Sequence, residues 1–211
     1  MNYLALIGDV RESKKLHNRD AVQRRLQAVC NDLNGRADSL QLVSPFTVTL
    51  GDEFQAVFSG AQNIWSCIFM IESALHPVRF RFGLGVGGID TEINRKQSIG
   101  MDGPAFHLAR EAVASLKSDR GSYRVLGLNN AQQLAHHTLD LVSHERDSWN
   151  RNRVGIFNYL LNGASVANIA KSIGISEQAV YKSIRHGGLE SIMGIFQGLS
   201  QQLDIQLGSG L

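Results

Sequence analysis

Residues 49–58 read TLGDEFQAVF. Phe46, Val48 and Leu50 alternate with polar positions before its centre, and Phe54, Ala56 and Phe58 alternate after it, which makes two strands around a Gly-Asp-Glu turn. The tip of an apolar hairpin therefore carries two carboxylates, Asp52 and Glu53. A turn carboxylate is ordinarily satisfied by water and local backbone. Two at the end of a buried sheet raise the question of what lies opposite them.

The surrounding sequence supplies a partner. Tyr3 to Ile7 is an unbroken apolar run closed by Gly8-Asp9, the pattern of a strand buried on both faces. Asn18 offers a helix cap, and Ala21, Val22, Leu26, Val29, Cys30 and Leu33 recur at helical spacing up to Gly35. After the hairpin, Ala61 to Leu75 returns to a helical period that Pro77 closes, and Val78 to Gly87 alternates as a strand. Strand, helix, strand, strand, helix, strand is the split βαβ order of ferredoxin-like folds, so the expected class is α+β. There the first two strands run parallel, and the end of the first lies beside the turn after the second. Asp9 and Asp52 are thus predicted to be neighbours, and adjacent carboxylates repel unless a positive charge sits between them. A hard cation, Mg²⁺ or Mn²⁺, takes oxygen ligands of this type together with substrate phosphates.

Gly83, Gly85, Gly87 and Gly88 read as a bend and close packing rather than a phosphate loop, because no helix opens directly after them. Asp102-Gly103-Pro104 opens the next helix with a capping aspartate and a first-turn proline, and Tyr123 to Leu126 adds an edge strand.

At 211 residues and 43% hydrophobic, the chain can bury one main core and a small second one. A formal charge of +2 and a pI near 8.6 do not announce nucleic-acid binding, which needs charge gathered on one face. Cys30 and Cys67 sit within apolar helical patterns, where a small buried thiol is the ordinary reading. MNYLALIGDV has no basic leader and too short an apolar run for a signal peptide or a membrane span, so a cytoplasmic protein without a membrane partner is expected.

IGDVRESKKL, NRDAVQRRL, TLGDEFQ, RFGLGVGGIDTEI and DGPAFHLAREA, in this order and spacing, are together similar to the SatD family of bacterial proteins over roughly residues 3 to 116. The strand-ending GD and the hairpin GDE also resemble the palm-type core of class III nucleotidyl cyclases, and LGDEF differs by one residue from the GGDEF signature of diguanylate cyclases. The resemblance implies a cyclase-like domain joined to a helix-turn-helix. It implies Asp9 and Asp52 as metal ligands, Glu53 as a further ligand or a solvated turn residue, and the main chain of Gly8 and Val10 beside the metal. The backbone from Val10 to Ser13 and the Ser13 hydroxyl would then face a triphosphate. Lys14, Lys15 and Arg19 either answer its charge or form a solvated helix start. The asparagine and arginine that class III enzymes place after a glycine fall on His107 and Glu111 when counted from Gly103. Arg110 comes one position early, about 100° round the helix. His107 and Arg110 remain the catalytic candidates, Arg110 also as a nucleotide ligand. Leu50, in place of the first GGDEF glycine, crowds the approach of a guanine nucleotide.

Residues 127–151 read as a polar helical connector. His136, Asp140 and His144 share one face at a spacing a metal could use, although a solvated face suits them better, and Trp149 is expected to anchor the segment. SVANIAKSIGISEQAVYKSIR, Ser165 to Arg185, reads as helix, tight turn, helix: Ala170 is small at the crossing, Gly174 permits the turn, and Ser176 caps the second helix. Ser176, Gln178, Tyr181, Lys182 and Arg185 are the candidates for DNA contact, the early ones to base edges and the later ones to phosphates. One such unit binds DNA weakly, so a homodimer is expected, with Leu189 to Leu203 as its contact unless that stretch packs back on its own domain.

The sequence thus predicts a palm-like, nucleotidyl-cyclase-like ferredoxin domain over 1–126, the connector, and a small all-α helix-turn-helix domain over 152–211. The expected function is a DNA-binding regulator whose first domain takes a nucleotide and Mg²⁺ as its input. Two alternatives stand beside it: an active metal-dependent nucleotidyl cyclase or nucleotidyltransferase, and a DNA-binding protein with a vestigial palm.

Overall fold

An unbroken apolar strand is satisfied only where both of its faces are covered, and β1 (Tyr3–Val10) takes that place. In the structure, a computed structural model that describes residues 1–16, 18–49, 52–119 and 121–208, β1 is the middle of a five-stranded sheet. β3 (Glu53–Phe58) and β4 (Phe80–Gly87) flank it, both antiparallel. β2 (Leu42–Val48) lies antiparallel outside β3, and β5 (Tyr123–Leu126) lies parallel outside β4, giving the order β2-β3-β1-β4-β5. The first four strands have the ferredoxin-like order read from the sequence. Pro45, which donates nothing to a ladder, falls in the edge strand β2 where the pairing slips register.

Alternation along β1 sorts two cores. Leu4, Leu6 and Val10 join Phe54, Phe58, Phe80 and Phe82 beneath α1 (Arg19–Asn34) and α3 (Ile64–Leu75), with the short α2 (Ala37–Leu40) between these helices in sequence. Asn18 caps α1 as expected, accepting from the Ala21 N–H. Ala5 and Ile7 join Val57 on the opposite face beneath α4 (Pro104–Asp119). α4 comes close because β4 presents glycine to it: a Cβ on Gly83 would lie 2.4 Å from the Ala109 carbonyl oxygen, and one on Gly85 2.2 Å from that of Ala105.

The connector is helical, as expected, and comprises α5 (Gln132–Asp147), with α6 (Arg151–Leu161) following it. Trp149 pins the joint between them, its ring 5.1 Å from Phe157 and 6.1 Å from Phe69 of α3. α7 (Val166–Ile173), α8 (Glu177–His186) and α9 (Leu189–Gly208) complete the chain. Leu189 to Leu203 packs not within a separate C-terminal domain, as the sequence reading allowed, but on α3 of the sheet domain: Phe196 stacks on Trp65 at 4.1 Å, Leu189, Ile192, Leu199 and Leu203 are buried, and one continuous core joins the last helices to the sheet. Among the described residues no helix is long and apolar enough to cross a membrane.

One charged contact lies inside this core. Glu72 of α3 and Arg146 of α5 meet at 2.7 Å with 3% and 1% of their side chains exposed, and the Tyr123 hydroxyl of β5 donates to the same carboxylate. Three elements distant in sequence are thereby fixed to one point. Glu72→Ala should lower the unfolding free energy by about 3–5 kcal/mol, because it leaves a buried guanidinium uncompensated. Glu72→Leu combined with Arg146→Met should lose far less. Urea midpoints of the two variants decide the matter, and equal losses would show that the pairing is incidental.

Burial pushes the Cys30 and Cys67 thiols up to about 12, and burial followed by the nearby Glu72 charge raises the Tyr123 phenol well above its usual 10.0. All three hold their protons more tightly when folded than when unfolded. Their contribution is therefore complete below the usual thiol value of 9.0 and is lost as pH rises above it. Denaturant midpoints should be level up to about pH 9 and fall beyond it, and Cys30→Ala with Cys67→Ala should flatten the first part of that fall.

Candidate functional site

The end of β1 carries the site. The ladder sets Asp9 opposite Glu53 on β3 and opposite Arg81 on β4. Asp52, in the turn before β3, accepts the Val10 N–H on its carbonyl oxygen at 3.3 Å. The expected approach of Asp9 and the Asp52 turn is thus made by the main chain, although Leu50 and Gly51 of that turn lie outside the described residues.

The side chains take different partners. Asp9 points with Ala5 and Ile7 toward the α4 face, where its Oδ2 lies 3.1 Å from Nη1 of Arg81, both side chains less than a fifth exposed at 14% and 17%. Arg81 Nε also donates to the Leu116 carbonyl oxygen near the end of α4, at 3.3 Å. Asp52 Oδ1 faces Nη2 of Arg19, in the first turn of α1, at 3.9 Å. Glu53 accepts from the Thr49 hydroxyl at 3.3 Å. Gly8 has a packing role, since a Cβ there would lie 2.1 Å from the Phe54 ring. Ser13 opens a single 3-10 turn, Ser13–Lys15, after Glu12 in the left-handed region at φ 51°; Lys14 is exposed, and Lys15 pairs with Glu12 at 2.7 Å.

His107 and Arg110 stand elsewhere. Near the start of α4, they meet Asp102 at 2.9 and 3.9 Å, and Arg110 lies over the Phe106 ring. α4 runs antiparallel to β4, so its Leu116 end reaches the level of Asp9; Arg110 is six residues earlier, about 9 Å along the axis. A backbone hydrogen bond from Gly103, followed by His107, holds the Asp102 carboxyl below its ordinary range. This side chain, expected as a cap, is instead engaged with Gly103 and the two catalytic candidates, and the first-turn N–H groups of Phe106 and His107 bond to the Gly103 carbonyl.

Asp9, Asp52 and Glu53 offer the oxygen donors that a hard cation takes, two of them already facing an arginine. Among the described residues there is no group of three or more His, Cys, Asp or Glu gathered to hold a metal. The donors match such an ion in kind. Of the face read as solvated, His144 is exposed and His136 and Asp140 are more than a third exposed, yet these two also serve as ties. Buried Arg124 contacts both, and Asp119 as well, fastening α5 to β5.

At the other end of the chain, the Ser165 and Ser176 hydroxyls accept from the N–H groups of Asn168 and Ala179, which caps α7 and α8. Gly174 turns the chain between these helices at φ 77°, while Ile169 and Val180 are buried between them. Gln178, Lys182 and Arg185 are exposed, as is Tyr181 at 59%.

Arg81 went unnoticed in the sequence, yet VRFRFGLGVG carried the signal. Arg79, Arg81, Gly83, Gly85 and Gly87 share one parity, so the face that admits α4 along its glycines ends in two cations. What the geometry defines is an α+β protein whose ferredoxin-like sheet ends in a charged edge. The chain matches the SatD family over residues 3–192 and belongs to it. Among solved structures it is similar to a bacterial light-regulated adenylyl cyclase, with 18% identity and a TM-score of 0.44 over 59% of this chain and 74% of that one. It is also similar to the guanylyl cyclase Cya2, with 16% identity and a TM-score of 0.38 over 55% and 70% of the respective chains. No curated protein matches it.

Arg81→Gln should cost about 1–3 kcal/mol, because Asp9 stays largely buried without its charged donor. Adding Asp9→Asn should restore part of that loss. Thermal unfolding of the two variants measures the coupling, and strictly additive losses would remove the pair from the account of this edge.

Proposed function

We propose that this protein is a DNA-binding regulator that takes a nucleotide together with Mg²⁺ as its input. The observation that carries the reading is the register of the sheet, which sets Asp9 against Glu53 and ties the Asp52 turn to Val10. Three carboxylates and two arginines, Arg19 and Arg81, then share one edge. Nucleotide phosphates would engage Arg19, with Ser13 and Lys14 beside the same turn, leaving Asp9 and Asp52 to hold the cation. A bound Mg²⁺ would supply neutralisation of phosphate charge. His107 and Arg110, engaged with Asp102 away from this edge, favour binding without turnover over cyclase chemistry.

The output would be α7 and α8, read as a helix-turn-helix. Its second helix opens with Ser176 as cap and turns Gln178, Tyr181, Lys182 and Arg185 outward. A single module of this size neutralises few phosphates, so two copies would act together on DNA.

Purified protein should show a Mg²⁺-dependent or Mn²⁺-dependent thermal shift with at least one of the four nucleoside triphosphates, with no new product by mass. Asp52→Asn should remove the shift, and Lys182→Glu with Arg185→Glu should remove DNA binding while leaving it in place. Turnover to a cyclic or linked nucleotide would make the protein an enzyme instead. No shift with any triphosphate would sink the nucleotide reading.

A further inference from the structure

Beyond Arg81, on the side of β1 away from Asp52, the end of β1, the start of β4 and the end of α4 enclose a cleft of about 720 Å³. Its lining includes Arg11, Lys15, Arg79, Arg81 and Lys117 against only two carboxylates, Glu12 and Asp147. That leaves a formal +3 on this one surface, more than the +2 of the entire chain. Even with Asp9 set against Arg81, the lining stays positive.

The three arginines are held in place from behind. Arg11 donates to the Gly121 carbonyl and to the Ser122 hydroxyl at 3.2 Å. Arg79 donates to the carbonyl oxygens of Arg146 at 3.4 Å and Asp147 at 2.8 Å. Arg81 is fixed by Asp9 and Leu116. Guanidinium groups anchored in this way lose little side-chain entropy when they meet a ligand. Burial lowers the Arg11 pKa against the pull of Asp147, and the neighbouring charges of Arg81 and Arg79 lower it to a smaller degree. Lys15 and Lys117 stand exposed at the mouth. The rest of the described lining is Leu16, Pro77 and Val78, so among the described residues it offers no aromatic ring on which a base could stack.

We propose that this cleft binds the phosphate groups of a small polyanion, read by charge and guanidinium geometry without a metal ion. The cleft adjoins the carboxylate edge at Arg81, which pairs with Asp9, but it needs neither Asp52 nor a metal ion. The phosphates belong either to a free polyphosphate or to the tail of a nucleotide.

Isothermal titration with sodium tripolyphosphate, and in parallel with a nucleoside triphosphate, both in EDTA, tests this. Tripolyphosphate should bind, and more weakly as salt rises. Lys117→Gln and Arg79→Gln should each weaken it by about tenfold, and Lys117→Glu by more. Asp52→Asn should leave it unchanged. Equal affinity for the two ligands supports a free polyphosphate, and tighter binding of the nucleoside triphosphate supports a nucleotide tail. Lys117 is exposed, so its variants should keep the wild-type melting temperature and report on the cleft alone. The proposal is overturned by absence of binding, by binding that the Lys117 and Arg79 variants do not alter, or by loss in Asp52→Asn, which would put the phosphates at the other edge. Lys117→Glu weakening duplex DNA but not tripolyphosphate would overturn it too.

Discussion

The contact between Glu72 and Arg146 holds the rest of the molecule to its arrangement. A charge removed from water is tolerated only beside its counter-charge, so the Glu72 carboxylate, meeting Arg146 and the Tyr123 hydroxyl, ties α3, β5 and α5 to one point. The consequences spread from there. α5 ends at Asp147, whose carbonyl and carboxylate position Arg79, and the joint at Trp149 sets the course of α6 against Phe69. The α5 end that this pairing fixes therefore also holds one wall of the cationic cleft, through Arg79 and Asp147.

α4 joins two kinds of chemistry on a single rod. Its start holds Asp102, His107 and Arg110, and its end offers the Leu116 carbonyl to Arg81, which in turn holds Asp9. The glycines of β4 bring the helix so near the sheet that backbone meets backbone, which leaves it little room to slide. A ligand that drew Arg81 away from Asp9 would act on the helix end directly.

The strand order was legible because period-two patterning and the hairpin at Asp52 leave few ways to assemble such a sheet. The edge shared by Asp9 and the Asp52 turn followed from that order alone. What lay beyond reach was the partner of each charge. Glu72 falls at seam spacing with Trp65, Ile68 and Leu75, a lone carboxylate in an apolar stripe, but nothing local says that Arg146 will answer it. The pairing of Asp9 with Arg81 was out of sight because Arg81 is a neighbour only across the ladder. Leu189 to Leu203 showed an apolar face without revealing what would cover it, since amphipathicity specifies burial and not the partner.

The stacking of Phe196 on Trp65 also bears on how the molecule is made. The aromatic face formed by Trp65, Phe69 and Tyr123 is complete in sequence well before α9, the last helix among the described residues. Until then a broad greasy surface stays bare, and closing it requires a contact between residues very far apart in sequence, which is slow. Docking of this twenty-residue helix is thus the step that takes Trp65 out of reach of other chains, and a fault in it would show as aggregation rather than as a misplaced strand.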